Sequence, residues 1–389
     1  MLIGREITVL GGGIAGLAAA TALAQRGARV RVLEQSDRIA ELGAGLQISP
    51  NGAVVLRALG LGEALAEAAP LARAVRLCDF RRGAEVFRLP LTRSDRPYHL
   101  MHRADLIGIL RRGAVEAGVT VELGRAVREL RDGAGGIALH FATGETETAA
   151  CLVAADGLHS PTRAALNPST RPFFTGQVAW RCTIPLEDAA APAEAQVFMG
   201  PGRHLVRYPL RHGALMNVVA VEERDGWAAE GWNHRDDPQN LRRAFRDFAP
   251  GIRQMLDGAE EVFLWGLFRH PLAKHWHNDH AVLLGDAAHP TLPFLAQGAN
   301  MALEDAWVLA DSLAAEEDQA TGFARYTARR RARCARIVDA ASRNAENYHL
   351  RPGPYRFAAH SALRLASRFA PQIAANQFEW LYGHDVTRG

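Results

Sequence analysis

The segment "EITVLGGGIAGLAAATALAQRGARVRVLE", residues 6 to 34, restricts the fold more than any other part of the chain. A β-branched run ends in glycines, an Ala/Leu-rich stretch follows, and "ARVRVLE" returns to β-branched residues. That order predicts a strand, a tight turn, a helix and a second, parallel strand. Gly11, Gly13 and Gly16 fit the spacing G-x-G-x-x-G, with Ala15 inside the turn. The first glycine allows the turn, the second lets a pyrophosphate approach the backbone, and the third lets the helix pack closely on the sheet. The first N–H groups of the helix then face the phosphates. Glu34 lies 21 residues beyond Gly13, at the end of the second strand, where a carboxylate accepts from ribose hydroxyls. The competing reading is a glycine-rich turn in an α/β core without a ligand. The presence of strand, helix and acid together favours the dinucleotide site.

A dehydrogenase built on this unit would continue in regular βα repeats. Instead, residues 72–98 and 171–270 hold short alternating stretches such as "GRHLVRYPL" and "ALMNVVAVEE", broken by Gly, Pro and Asp. These read as antiparallel strands. The stretch 104–117 has helical apolar spacing and ends at Gly118, with strands expected at 119–123, 136–142 and 150–154. The fold class is therefore α/β with an α+β admixture. A Rossmann-like domain made of 1–71, 99–170 and 271–345 is interrupted by an antiparallel-sheet substrate domain at 72–98 and 171–270, and 346–389 forms a C-terminal helical segment.

Composition narrows the partners. Across 389 residues, Lys plus Arg number 45 and Asp plus Glu 42, a surplus of +3 that is too small for a nucleic-acid footprint. No apolar run reaches the ~18–20 residues of a membrane span, and the apolar N-terminus reads as fold and not as a targeting signal. Cys78, Cys151, Cys182 and Cys334 are too scattered for a zinc or dithiol motif, and they suggest reduced thiols in a cytoplasmic protein. His275 and His277 lack a third ligand at suitable spacing, so no metal is expected. "ARRRARCAR", 328–336, carries five arginines in nine residues and reads as a basic helix face.

Two later segments repeat one device. "CLVAADGLHSPTR", 151–163, is an apolar strand that ends in Asp156-Gly157, and "AVLLGDAAHP", 281–290, is one that ends in Gly285-Asp286. With "GAGLQISPN" at 43–51, "HRADL" at 102–106, "VAWR" at 178–181 and "FEWLYGHDV" at 378–386, the chain resembles the single-component FAD-dependent aromatic-ring hydroxylases along nearly its whole length. It is most similar to their salicylate hydroxylase-like branch.

The resemblance implies an FAD-dependent monooxygenase that takes NADH or NADPH as transient co-substrate and hydroxylates a small phenolic or heteroaromatic acid with O2 through a flavin C4a-hydroperoxide. Gly11, Gly13, Ala15, Gly16 and Glu34 would hold the ADP half of FAD. Asp286 would bind the ribityl chain with Gly285 allowing close approach, Asp156 would sit beside the pyrophosphate, and Arg103 would reach the phosphates or ribityl. Two alternatives belong to other classes: an NAD-dependent dehydrogenase and a non-catalytic flavin-binding protein. A homodimer is left open.

The loop "HPTLPFLAQGAN", 289–300, precedes a helix expected from about Asn300. Reduced flavin is negative near N1 and O2, and the unpaired N–H groups of Gly298, Ala299 and Asn300 at a helix start stabilise such charge. Small residues there let a planar ring approach. Pro293, Phe294 and Leu295 are expected to shield the reacting face from water, or else to staple the next helix. His289 is expected to fix the loop, with a role at the flavin edge as the alternative.

On the substrate side, His204 and Tyr208 alternate to one face of a strand, and the resemblance makes them the binding and deprotonating pair. An exposed His204 beside a sheet-capping Tyr208 is the competing reading. Arg181 is a partner for a substrate carboxylate or a surface salt bridge. Gln47 points at the ring or satisfies a turn.

Overall fold

A computed structural model describes residues 2–39, 45–91, 95–186, 192–224, 226, 234–370 and 376–388. Gly43 and Ala44 of the segment at 43–51 lie outside the described residues. Five parallel strands form the first sheet, in the spatial order Ala281–Leu283, Leu152–Ala154, Glu6–Leu10, Arg29–Leu33 and Thr120–Glu122. Ala281–Leu283 and Leu152–Ala154 are buried throughout and Glu6–Leu10 from Ile7 on, as their apolar runs require, whereas the edge strand Thr120–Glu122 is partly exposed. The helix Ile14–Ala24 has no polar stripe. It is buried from Leu17 to Leu23 among the helices on that face of the sheet. A side chain at Gly16 would run into the carbonyl oxygen of Gly11, so the close packing exists only because the residue is glycine.

An eight-stranded sheet runs in the order Arg235–Asp236, Val262–Arg269, Phe173–Pro185, Leu215–Glu223, Arg203–Leu210, Glu194–Gly200, Ala74–Asp79 and Glu85–Pro90. The expectation of an antiparallel sheet needs one correction. Glu194–Gly200 pairs with Ala74–Asp79 in parallel, because the two segments reach the sheet from separate passes of the chain and not through a hairpin. Pairing also sorts the side chains. Val178, Trp180, Cys182, Leu205, Val218 and Ala220 face a core closed by the helices Pro238–Ala244 and Pro250–Asp257. Ala179, Arg181, His204, Val206, Tyr208, Asn217, Val219 and Val221 share the opposite face, following the pairs Arg181 with Val219, Val206 with Val219, His204 with Val221 and Tyr208 with Asn217.

Three further differences have physical causes. A meander of Val127–Gly133, Gly136–Phe141 and Thr146–Ala149 includes two strands absent from the sequence reading, since "VRELRDG" is largely exposed and lacks an apolar alternation. The helix Gln319–Tyr348 runs through the expected boundary at 345/346. The helix at the loop begins at Gly298 and not near Asn300, with Gln297 as its N-cap.

The arginine-rich stretch is more than a basic helix face, because one of its arginines is buried. Arg330 is 1% exposed and its guanidinium meets Asp305 at 2.6 Å and Glu304 at 2.5 Å, both on the helix Gly298–Ala315. Arg333 meets the same Glu304 at 2.8 Å, Asn51 donates to it at 2.6 Å, and His289 Nε2 lies 2.5 Å from Asp305 Oδ2. Burial alone would raise the Asp305 carboxyl, but His289 and Arg330 outweigh it and hold the group at about 2. Its contribution to stability is therefore fully present above the ordinary value of 3.8 and is lost as pH falls toward about 2. We expect an acid titration of folding, followed by circular dichroism, to show this loss, and Asp305→Asn to flatten the curve in that window. Arg330→Met leaves two buried carboxylates short of a counter-charge and is expected to lower the unfolding free energy by about 3–5 kcal/mol in urea denaturation.

Candidate active site

Four of the five strands of the parallel sheet deliver a site residue at the carboxyl end, the edge where open α/β sheets bind ligands. Gly11 follows Leu10 with φ +105°, and any side chain there would strike the Ala155 carbonyl. Gly13 caps the helix, and nothing lies within 4 Å of the position its Cβ would take. Glu34 follows Leu33, accepting from Gly12 N–H at 2.6 Å and from Ser36 N–H at 2.9 Å, which fixes the carboxylate over the glycine turn. Asp156 follows the strand Leu152–Ala154. Burial raises its carboxyl, while one oxygen accepts from the Thr162 hydroxyl at 2.9 Å and so braces the short helix Pro161–Leu166. Gly157 has φ +77° with open space beside it.

Gly285 has φ +62°, and its missing Cβ would sit 3.0 Å from the Cβ of Ala15. The two turns thus close on each other, with Gly285 N–H donating to Asp305 at 3.2 Å and Asp286 left exposed in the turn. Arg103 opens the helix Arg103–Glu116 and is partly buried. The cradle fits an adenine dinucleotide: a glycine turn with open space at Gly13, a carboxylate at the second strand end, and two further turns along one edge.

The helix Gly298–Ala315 starts next to this edge. Amides of its first turn have no intrahelical acceptor, so Gly298, Ala299 and Asn300 present donors. The Asn300 side chain is spent elsewhere. It donates to the carbonyls of Gln47 and Ala296 at 2.9 and 2.8 Å and accepts from Ser49 N–H at 3.0 Å, tying the strand Gly45–Ile48 to the helix start. Ala296 closes the preceding 3-10 turn in the left-handed region at φ +53°.

That turn, Pro293–Leu295, divides its residues between the sheet and the outside. Successive residues of a 3-10 turn point about 120° apart, so Pro293 is exposed, Leu295 is half-buried, and Phe294 between them is the residue turned onto the sheet. Phe294 packs among Ala179, Val221 and Trp265, its ring 5.3 Å from that of His204.

His204 is fully buried and not solvent-facing. Burial pushes its imidazole well below the ordinary histidine value, helped by His349, so it is neutral at pH 7. Tyr208, on the same face, is buried beside Gly45, and burial raises its phenol. Gln47 accepts from the Tyr98 hydroxyl at 2.6 Å and neighbours Tyr208. The Arg181 guanidinium lies 4.9 Å over the Trp265 ring. Arg181, His204, Tyr208, Gln47 and the turn at 293–295 therefore come together, while Gly11, Gly13, Ala15, Gly16, Glu34, Asp156 and Gly285 form the neighbouring cradle.

The sequence reading missed Asn51, Gln297, Glu304, Asp305, Arg330, Tyr98 and His349. "ALEDA" after the loop was the one available signal, an acidic pair flanked by small and apolar residues in the second turn of a helix. His289, Asp305 and Cys334 lie within 4.8 Å of one another, but the Arg330 guanidinium paired with Asp305 supplies the positive charge there, against a metal ion.

The chain matches the family model described as FAD binding domain over residues 5–341. It is 34% identical over 395 residues to a 3-amino-4-hydroxybenzoate 2-monooxygenase, PtnB3, of Streptomyces platensis, covering 98% of this chain and 96% of the relative. A 3-hydroxybenzoate 6-hydroxylase of Polaromonas naphthalenivorans is 34% identical over 397 residues, covering 98% and 96%. Among solved structures, HpxO of Klebsiella pneumoniae complexed with FAD and uric acid has a TM-score of 0.82 at 25% identity over 97% of each chain. A salicylate hydroxylase substrate complex shares the fold, with a TM-score of 0.81 at 23% identity over 99% and 97%. Similarity of this depth over nearly full lengths means that the chain belongs to the single-component FAD-dependent aromatic hydroxylases, in the group of the salicylate and 3-hydroxybenzoate hydroxylases, with FAD as its cofactor.

Proposed function

We propose that this FAD-dependent monooxygenase hydroxylates a benzoate bearing a ring hydroxyl, held between the sheet face of Arg181, His204 and Tyr208 and the turn Pro293–Leu295. The observation that carries the reading is the gathering of a guanidinium, a buried neutral imidazole and a phenol on one sheet face, opposite the start of the helix Gly298–Ala315. Relatives named for 3-amino-4-hydroxybenzoate and 3-hydroxybenzoate act on rings with both a carboxylate and a hydroxyl, which is the chemistry such a set would bind.

Arg181 pairs with the carboxylate, and Gln47 and Tyr208 orient the ring. His204 takes the proton of the ring hydroxyl, since a phenolate is the better nucleophile and only a neutral imidazole accepts. Bound FAD, reduced by NADH or NADPH, supplies the activated oxygen. Gly11, Gly13, Ala15, Gly16 and Glu34 hold its adenosine half, Asp156 and Arg103 flank the phosphates, and Gly285 and Asp286 take the ribityl chain. The amides of Gly298, Ala299 and Asn300 stabilise the negative charge of the reduced ring, and Pro293 and Leu295 help to exclude water.

The division into 1–71, 99–170 and 271–348 for FAD, 72–98 and 171–270 for substrate, and a C-terminal segment beyond the helix Gln319–Tyr348 follows the same assignment. Four unpaired, buried cysteines support a cytoplasmic setting. Among the described residues, no helix is long and apolar enough to cross a membrane. The exposed Tyr355, Leu365 and Phe369 of the helix Pro354–Phe369 support a homodimer, which sedimentation measures.

Asp286→Ala is expected to weaken FAD binding by about 1.5–3 kcal/mol, the worth of a charged hydrogen bond. Full flavin content after exhaustive dialysis would remove the ribityl assignment. His204→Gln is expected to keep FAD bound and reducible, while the hydroxylation step slows by ~10²- to 10⁴-fold and reducing equivalents appear as hydrogen peroxide. Wild-type activity should persist below the ordinary histidine pKa of 6.5, because the lowered pKa keeps His204 unprotonated there. Parallel assays of NAD(P)H, product and peroxide across pH check both points, and unchanged coupling would exclude His204 as the base.

A further inference from the structure

His204 does not end the hydrogen-bond chain in which it stands. Its Nδ1 lies 2.7 Å from His349 Nε2, and His349 Nδ1 lies 2.8 Å from Glu223 Oε1. The three groups come from separate elements. His204 is on Arg203–Leu210, Glu223 ends the strand Leu215–Glu223, and His349 caps the helix Gln319–Tyr348, where its carbonyl accepts from Gly202 N–H at 3.3 Å. Exposure rises along the row: His204 is fully buried, His349 is 5% exposed, and the Glu223 side chain is 48% exposed. At the inner end, His204 Nε2 is buried without a hydrogen-bond partner among the described residues, with the rings of Phe294 and Tyr348 at 5.3 and 5.2 Å. At the outer end, Glu223 lines a surface cleft with Arg203, Glu222 and Arg351.

We propose that His204, His349 and Glu223 form a relay that carries the substrate's hydroxyl proton from the closed pocket to bulk water, a proposal that rests on the reading of His204 as base. An isolated buried imidazole that accepts a proton becomes a buried cation, which is costly. The relay avoids this because every imidazole gives up one proton as it takes another. The O–H bond of the substrate breaks and an N–H bond forms at His204 Nε2. The proton on His204 Nδ1 passes to His349 Nε2, and the one on His349 Nδ1 passes to Glu223 Oε1. Glu223 then releases a proton to water. Both histidines end neutral in the opposite tautomer, the substrate has become a phenolate, and no electrons are transferred. Return of one proton from Glu223 to the product oxygen along the same path resets the row. Burial lowers both histidines, most strongly His204, and so favours these neutral forms.

The resting tautomers can be read in the FAD-loaded full chain without substrate, by nitrogen-15 spectra of labelled histidine. The relay requires His349 protonated at Nδ1 and bare at Nε2, and the opposite tautomer overturns it. Proton transfer is then followed with an indicator dye on rapid mixing with 3-amino-4-hydroxybenzoate, 3-hydroxybenzoate or salicylate, taking the acid that perturbs the flavin spectrum. Glu223→Gln and His349→Gln should each slow proton release about 10-fold or more with flavin content and affinity for the acid unchanged, and Glu223→Asp should recover most of the rate. Wild-type release in both Gln variants overturns the relay. If His204→Gln abolishes release while those two variants keep it, the base assignment stands and the relay alone falls. If His204→Gln also releases protons normally, both fall together.

Discussion

Two adjacent buried carboxylates, Glu304 and Asp305, hold the cofactor edge in register. Asp305 receives the Gly285 amide, His289 and Arg330, and Glu304 receives Asn51, Arg330 and Arg333. Between them they bind the turn at 285–289, the helix Pro50–Ala58 and the helix Gln319–Tyr348 to the helix Gly298–Ala315, whose N-terminus we propose faces the flavin. Such a network adds little net stability over a well-packed apolar core, since desolvation offsets much of the Coulomb attraction. It does impose direction. An apolar contact tolerates sliding, whereas a guanidinium forked between two carboxylates admits one geometry. A helix start aimed at a ring needs that restriction, because the value of its amides falls steeply with angle and distance.

The helix Gln319–Tyr348 joins the two halves of the site. Arg330 and Arg333 meet the carboxylates, and eighteen residues further on, about 27 Å along a helix axis, Tyr348 and His349 meet His204. One helix therefore touches both the carboxylate pair and the sheet face proposed to hold the substrate. The turn at Phe294 closes the same circuit, anchored through Asn344 on that helix, which donates to its carbonyl at 3.3 Å.

How far the sequence disclosed this depends on how local each determinant is. Gly11 and Gly285 were legible because their positive φ is a demand on their own backbone, Gly13 and Gly16 because they complete a local spacing, and Glu34 because strand and turn lengths fix its place. Alternation put His204 and Tyr208 on one face without any knowledge of the partner strand. The burial of Arg330 was hidden, since helical spacing says which residues share a face but not what lies opposite, and its acids are 25 and 26 residues away on another helix. The contact of His204 with His349 spans 145 residues, and no pattern within either segment signals it. The parallel pair of 74–79 with 194–200 was hidden for the same reason.

The order of strands in the parallel sheet bears on how the protein is made. Its middle strand is the first to leave the ribosome and its edge strand Ala281–Leu283 the last, after the whole substrate sheet has been synthesised. Until then Leu152–Ala154 offers an unpaired apolar edge to the surroundings, the kind of edge to which other chains add. Gly285 and the helix start arrive later still, so a nascent chain has no complete seat for its cofactor. Flavin capture is consequently a late event in biogenesis, and flavin supply in the cell acts on a chain that has already committed most of its topology.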